Sequence, residues 1–297
     1  MFNEETKSAF LDSLASESTK IMYKSLFTRA GSFETSKGKD ILRFDVDECT
    51  DLVSFLSPKS LKHVVSIKSQ LKKYANWGIL EGINSRNCWL AVPADDDSVR
   101  HSFAKRYVKD LDELVAIVEH GISVPYDKYI VYLLYMGIMG RDFFDLRHLR
   151  DMDIDISSGI IRTRRCAYRI IPPLHKAITN GGYYEETKKR NELSEYFVKP
   201  YNTKDKKDEP INYNHIHRVF RKLNDELQSS YTEAPKTLTP MSVWRSGLYN
   251  AMYKIEAIKG GIVSDDFKEV SRVYGNKNTF SSYLRDYEMY KEIFWAI

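Results

Sequence analysis

Apolar residues recur at helical spacing along most of the 297-residue chain, and this pattern constrains the fold more than any other feature. In residues 57–77 the apolar positions include Val64, Leu71 and Tyr74. Side chains at this spacing lie on one face of a helix, so the segment is predicted to be an amphipathic helix. Similar patterns predict further helices at 4–15, 18–27, 47–56, 110–120, 125–138, 212–229, 241–255, 264–273 and 279–293.

One stretch has a different period. A short strand signal at 152–156 is followed by a turn and by a run rich in β-branched residues at 160–164. A partner strand at 168–171 is ended by Pro172, as expected for a hairpin. The predicted fold class is therefore mainly α with a small antiparallel β-sheet (α+β). Residues 179–210 are polar and rich in lysine, which predicts an irregular excursion or a mobile loop.

The sequence AVPADDDS at residues 91–98 interrupts the helical patterns on either side. Its proline and three consecutive aspartates favour a solvated connection between domains. We therefore expect a helical domain at 1–92, a linker at 93–106 and a second domain at 107–297.

The composition indicates a soluble cytoplasmic protein. No cofactor is expected, because the sequence has no phosphate-binding glycine motif and no zinc-ligand spacing. Hydrophobic residues make up 42% of the chain, yet no apolar run approaches the ~20 residues that span a membrane. The N-terminal MFNEETKSAF has acids where a secretory signal has basic residues. Cys49, Cys88 and Cys166 are scattered, so neither a disulfide framework nor a zinc site is expected.

The net charge of +4 is too small to identify a nucleic-acid-binding protein by itself. The positive charge is nevertheless concentrated in residues 57–77, which contain no acid. A row of lysines beside an apolar helix face can neutralise DNA phosphates, although lysines more often form a solvated face. The candidate DNA-contacting lysines of this helix are Lys59, Lys62, Lys68, Lys72 and Lys73.

Three further segments occur in a suggestive order. The first is YMGIMGRDFFDL at 135–146, in which Arg141 follows a glycine, and it continues into LRDMDID at 149–155. The second is LTPMSVWRSG at 238–247, which contains Arg245, and the third is VYGN at 273–276. In order and spacing the chain resembles the tyrosine recombinases, or phage integrases, over nearly its whole length.

The resemblance implies a two-domain clamp that encloses duplex DNA, formed by a core-binding domain and a catalytic domain. In the enzymes of this family a tyrosine hydroxyl attacks a DNA phosphodiester, and two arginines bind the non-bridging oxygens. A lysine on the hairpin protonates the leaving oxygen, and histidines assist proton transfer.

This chain keeps at most half of that set. Arg141 and Arg245 match the two arginines, and we interpret them as a retained phosphate clamp, although each taken singly is more typical of a surface ion pair. The lysine position is best matched by Arg164, next to Arg165, and both are candidate DNA contacts; arginine is a poor general acid because its pKa is above about 12. Ser242 and Asn276 stand where histidines are expected, and neither can exchange a proton as imidazole does.

The nucleophile has no clear match. Tyr283, Tyr287 and Tyr290 lie in the right region, but with 20 tyrosines in the chain such a coincidence is common. Their spacing of four and three residues also suits one packed helix face.

We therefore predict a catalytically inactive, sequence-specific double-stranded-DNA-binding protein that represses phage or prophage genes and maintains lysogeny. The active-site positions would then be vestigial. An active integrase with an unusual site is the alternative, and an accessory architectural protein is a third reading. Operator DNA is the expected partner, self-association through the C-terminal helix is possible, and no membrane or metal is expected.

Overall fold

The structure, a computed structural model, describes residues 1–58, 61–93, 97–179, 190–201, 208–230, 236–275 and 280–295. Its internal packing divides the chain into two compact units, Met1–Phe103 and Ala104–Ile297, each of which is described by itself. None of the helices in the described parts of the chain has the length and apolar character of a membrane span.

The smaller unit is helical. Its first four helices are α1 (Glu4–Asp12), α2 (Glu17–Lys37), α3 (Val46–Phe55) and α4 (Leu61–Leu80). Asp45 begins α3 with a reciprocal cap, because its carboxylate accepts the Glu48 N–H while the Glu48 carboxylate accepts the Asp45 N–H. Phe10, Phe27 and Tyr74 meet in the aromatic centre of the core.

The linker expected at 93–106 is in large part a helix, α5 (Asp97–Arg106). Asp97, the last of three consecutive aspartates, begins this helix, where an acid is favourable. In the sequence alone the acidic run resembles a linker. Val99 and Phe103, four residues apart, are both buried, so this segment packs as a structural element. The boundary between the two units falls between Phe103 and Ala104, within this helix.

The larger unit is mainly helical around a small sheet. Its helices are α6 (Leu111–Gly121), α7 (Pro125–Tyr135), α8 (Phe144–Arg147), α9 (Pro172–Thr179), α10 (Tyr213–Ser230), α11 (Pro240–Lys259), α12 (Ser264–Tyr274) and α13 (Phe280–Phe294). The interior of α7 is buried on all sides, and α11 packs along it. Helix α7 is therefore the central element of this unit.

The strands are β1 (Ile154–Asp155), β2 (Ile160–Arg162) and β3 (Ala167–Arg169). They pair antiparallel in the order β1-β2-β3, with Ile154 opposite Ile161 and Ile161 opposite Tyr168. Ile161 and Tyr168 are buried, whereas the neighbouring arginines are exposed. The predicted fold class, mainly α with one small antiparallel sheet, is confirmed.

Part of the excursion expected at 179–210 is firmly attached to the unit. The buried Arg190 guanidinium donates to Asp127 Oδ1 at 2.8 Å and to the Lys199 carbonyl at 2.9 Å. His215 Nε2 lies 3.0 Å from the same Asp127 oxygen. These contacts join residues 190–201 to α7 and α10, which the polar composition of the segment did not predict.

Candidate nucleic-acid interface

Arg141 lies in the turn that follows α7. Its side chain is 96% exposed, and its nearest acid is the adjacent Asp142, 3.7 Å from Nε. An ion pair this exposed contributes little, because water screens both charges. The guanidinium is thus presented to solvent, where an external phosphate can reach it.

Arg245, on α11, has a different environment. Its side chain is 33% exposed, and Nη1 lies 3.4 Å from the Asp286 carboxylate on α13. The same nitrogen is 3.5 Å from the Tyr107 hydroxyl, and the guanidinium lies 5.6 Å from the centre of the Tyr283 ring. Buried Nε has no hydrogen-bond partner among the described residues. Arg245 is therefore held in place by its own chain before any ligand binds.

Ser242, one turn before Arg245, completes the capping box of α11, whose N-cap residue is Thr239. Its N–H donates to the Thr239 hydroxyl at 3.0 Å, and its own hydroxyl donates to the Thr239 carbonyl at 3.0 Å. Its oxygen also accepts the Thr239 N–H at 2.8 Å. The hydroxyl is buried and occupied in this local structure, which explains why serine suits the position.

The hairpin tip places its two arginines differently. Arg164 is exposed, and its guanidinium lies 5.7 Å from the centre of the Phe144 ring. Arg165 forms an ion pair with Asp145 and lies directly against Gly275. A Cβ on Gly275 would overlap the Arg165 guanidinium, so any other residue here would require that side chain to move.

The three motif segments meet in space. The Tyr274 hydroxyl donates to the Tyr135 carbonyl at 2.9 Å, and a Cβ on Gly247 would overlap that carbonyl. The Tyr168 hydroxyl donates to the Val273 carbonyl at 2.7 Å, which attaches the hairpin to the end of α12. The end of α7, the glycine after Arg245 and the end of α12 are thus packed together.

The C-terminal tyrosines are buried in the core. Tyr287 is fully buried, and its hydroxyl donates to Glu256 on α11. Tyr290 is also fully buried and donates to the Lys109 carbonyl. Burial raises the pKa of both phenols well above the usual value, and for Tyr287 the Glu256 carboxylate adds to this effect. Tyr283 is 5% exposed and packs beside Phe267.

Helix α13 packs against other helices of its own chain. Besides the Tyr287 and Asp286 contacts, Lys291 Nζ lies 2.8 Å from Glu256. The described residues therefore place α13 on α11 and α12 of the same unit.

The lysines of α4 lie away from its buried face, which includes Val64, Ile67 and Leu71. Lys62, Lys72 and Lys73 are exposed. Lys68 is half-buried and donates to the Val92 carbonyl, so its ammonium group is already engaged within this unit. Lys59 and Asn276, two other predicted site residues, lie outside the described residues.

Two acids near the predicted arginines were not anticipated. Asp145 binds Arg165, and Asp286 binds Arg245. Asp145 lies within the first motif, but its partner Arg165 is 20 residues further along the chain. The sequence alone does not indicate that these two residues pair. Among the described residues there is also no group of three or more metal-ligating side chains.

The solved structures that match this chain in backbone fold include recombinases and integrases. XerA recombinase has 15% sequence identity and a TM-score of 0.41, and the match covers 97% of this chain and 92% of that one. The Tn1549 transposon integrase in complex with circular intermediate DNA has 16% identity and a TM-score of 0.40, with 95% and 94% covered. A lambda integrase dimer bound to a core site has 15% identity and a TM-score of 0.38, with 96% and 93% covered.

Family models give the assignment. The N-terminal core-binding domain of MrpR matches residues 1–81, and the C-terminal catalytic domain of MrpR matches residues 112–293. A search for similar curated proteins returns no match. The two models follow the order that the sequence motifs predicted, and together they cover most of the chain. The chain therefore belongs to the MrpR family, with its recombinase-like core-binding and catalytic domains.

Proposed function

We propose that this protein binds double-stranded DNA in a sequence-specific manner without cutting it. In this role it represses phage or prophage genes and maintains lysogeny. The family assignment supports a recombinase-like protein, and the state of the site residues favours binding over cleavage.

The burial of the C-terminal tyrosines is the observation that supports the absence of cleavage. A nucleophilic hydroxyl must reach phosphorus, but the Tyr287 and Tyr290 hydroxyls are bonded inside the core, to Glu256 and to the Lys109 carbonyl. Raised pKa values oppose formation of the phenolate that would attack. Cleavage by either residue would first require α13 to leave its present position on α11 and α12.

The other proton-transfer positions give further support. The Ser242 hydroxyl is part of a helix cap. The hairpin carries arginines where the resemblance leads us to expect a lysine that acts as the general acid. Arginine holds its proton too tightly to protonate a leaving oxygen, but its planar donors bind phosphate well. The exposed Arg141 and Arg164 are therefore suited to holding a DNA backbone.

A nicked suicide duplex tests the absence of cleavage. Because the nick releases the leaving strand, an active recombinase accumulates as a covalent protein–DNA adduct that denaturing gels reveal. We expect no adduct with the wild-type protein under conditions in which it binds the duplex fully. Tyr283→Phe, Tyr287→Phe and Tyr290→Phe should bind the duplex as wild type does. An adduct abolished by a single one of these changes would establish the alternative, an active recombinase.

The repressor role is tested in the native cell. Binding sites mapped across the genome should lie at promoters of phage genes, and loss of the protein should raise transcription from them. Sites confined to recombination junctions, with no change in transcription, would contradict the repressor role.

A further inference from the structure

The larger unit contains a pocket of about 510 Å³, with both polar and apolar lining, between α8 and the hairpin tip. Its lining includes the aromatic rings of Phe144 and His148 and the guanidinium groups of Arg150, Arg162 and Arg164. Arg245 and the C-terminal tyrosines are not part of its lining. The volume lies within the range of small-molecule sites, roughly 300–1,000 Å³.

An exposed aromatic stack forms one wall. The Phe144 and His148 rings are nearly parallel, at 21°, with their centres 4.0 Å apart. Phe144 is 41% exposed, so part of this large apolar ring remains uncovered. A planar heteroaromatic ring could extend the stack, and Arg164 lies 5.7 Å from the Phe144 ring centre.

The backbone before this wall is strained. Phe143 has a φ of 61°, in the left-handed region that bulky residues rarely adopt. The Phe143 side chain is buried beside Tyr213 and His217, whereas the next residue, Phe144, is exposed. Strain of this kind persists where the surrounding structure enforces it and is common at binding sites.

The lining also carries positive charge on Arg150 and Arg162. Arg162 is 60% exposed and 3.9 Å from Asp155, and Arg150 is about half exposed and 3.3 Å from Glu195. Such exposed pairs are weak, so a phosphate can compete for both guanidinium groups. Of the two lining carboxylates, Asp145 is already paired with Arg165, and Asp153 accepts the Arg150 N–H at 2.9 Å.

The hairpin tip is held in place without a ligand. The Thr163 hydroxyl accepts the N–H groups of Arg165 and Cys166, and the Thr163 N–H donates to the Cys166 carbonyl at 3.0 Å. Arg164 is thus mounted on an ordered turn, which lowers the entropy cost of binding.

From this geometry we propose that the pocket binds a nucleotide. The base stacks on Phe144 beside Arg164, and the phosphate lies against Arg150 and Arg162. The nucleotide is either a free one or an unpaired unit of bound DNA, since both offer the same planar base and phosphate. The pocket shares Arg164 with the vestigial site, whereas Arg141 and Arg245 are not in its lining. The proposal does not depend on the repressor role.

Calorimetric titration with adenosine 5′-monophosphate tests the free-nucleotide source. We expect one site per chain, and at least tenfold weaker binding of adenosine and of inorganic phosphate, because each lacks one half of the recognition. Phe144→Leu and Arg164→Gln should each weaken nucleotide binding about tenfold or more. Both side chains are exposed, so thermal stability should be retained. Arg221→Gln, which removes an exposed arginine from α10, is the matched control and should bind as wild type does.

Duplexes with and without an unpaired overhang test the DNA source. If the nucleotide comes from DNA, the overhang should raise affinity, and Phe144→Leu should remove that increase while Arg221→Gln retains it. The proposal is supported if the gain in affinity from the overhang depends on Phe144, or if the affinity for the free nucleotide depends on Phe144. The proposal is overturned if neither ligand depends on Phe144, or if Arg221→Gln is as damaging as Arg164→Gln, since general attraction to positive charge would then explain the binding.

Discussion

In the sequence motifs, Arg141 and Arg245 match the two phosphate-binding arginines of the tyrosine recombinases. In the structure the two side chains have different environments. Arg141 is almost fully exposed, whereas Arg245 is bound to Asp286 and lies against Tyr283. A phosphate can bind Arg141 directly. To bind Arg245 it must share the guanidinium with the Asp286 carboxylate or displace it.

Alanine substitution should separate these roles. Arg141→Ala should weaken DNA binding by ~1–3 kcal/mol, the scale of a charge-assisted hydrogen bond, with an unchanged melting temperature. Arg245→Ala should weaken binding and also lower the melting temperature, because Asp286 and Tyr283 lose their partner. Affinity on operator and random duplexes, together with thermal melting, measures both effects.

The size of the decrease in affinity should be similar on both duplexes, because phosphate contacts do not read bases. Arg141→Lys is the matched control and should restore only part of the affinity, since an ammonium lacks the two-pronged fork. Wild-type affinity in both alanine variants would show that neither arginine contacts DNA.

At the scale of the element, α4 combines a packed face with a positively charged one. Val64, Ile67 and Leu71 are buried, while Lys72 and Lys73 are exposed. The exposed face can therefore be changed without disturbing the packing.

Reversing Lys72 and Lys73 to glutamate should weaken binding to all duplexes. A plot of the logarithm of affinity against the logarithm of salt concentration should also have a shallower slope. For every phosphate that the variant no longer neutralises, the slope should decrease in magnitude by about 0.9. Fluorescence anisotropy between about 50 and 200 mM salt measures the slope. Thermal stability should change little, because exposed charges contribute little to folding.

Lys20 and Lys24 on α2, reversed together, are the control with the same change in net charge. Reversal of Lys20 and Lys24 should reduce binding much less than reversal of Lys72 and Lys73 if α4 forms the interface. Equal decreases in affinity from the two pairs would show that only the net charge of the unit matters.

At the scale of the whole molecule, each unit contains a buried ion cluster. In the smaller unit Lys7 binds Glu34 at 2.6 Å and Asp40 at 3.1 Å, with Lys7 and Glu34 fully buried. In the larger unit Asp127 binds Arg190 and His215. Removing one member of such a cluster leaves an uncompensated buried charge.

Asp127→Asn should destabilise the larger unit by ~3–5 kcal/mol at pH 7. Burial alone would raise the pKa of Asp127, but His215 and Arg190 outweigh it and hold that pKa below its usual value of 3.8. The stability from the charged carboxylate is therefore present above the unfolded pKa, about 3.9, and is lost as the pH falls towards the folded one.

Urea unfolding at several pH values measures this effect. The gap in unfolding free energy between wild type and Asp127→Asn should be wide at pH 7 and should close progressively as the pH falls below about 4 and through the folded pKa. Asp225→Asn, a control change on α10, should match wild type throughout. A gap that stays constant with pH would contradict the assigned role of the Asp127 charge.

The helices were predicted closely because their signal is local. Residues 212–229 and 264–273 were expected to be helical, and the structure has helices at Tyr213–Ser230 and Ser264–Tyr274. Helical spacing of apolar residues needs only neighbours in sequence to be recognised. Helix α5 was missed because its acidic start resembles a linker and its apolar residues are few.

The sequence by itself determined the fold class, most of the long helices, the hairpin and the family to which the motifs point. Only the tertiary structure decided which charges meet: Arg165 with Asp145, Arg245 with Asp286, and Asp127 with Arg190 and His215. It also decided that the Tyr287 and Tyr290 hydroxyls are enclosed in the core. The physical reason is that periodicity is a property of adjacent residues, whereas pairing and burial depend on segments that are distant in sequence and are brought together by packing.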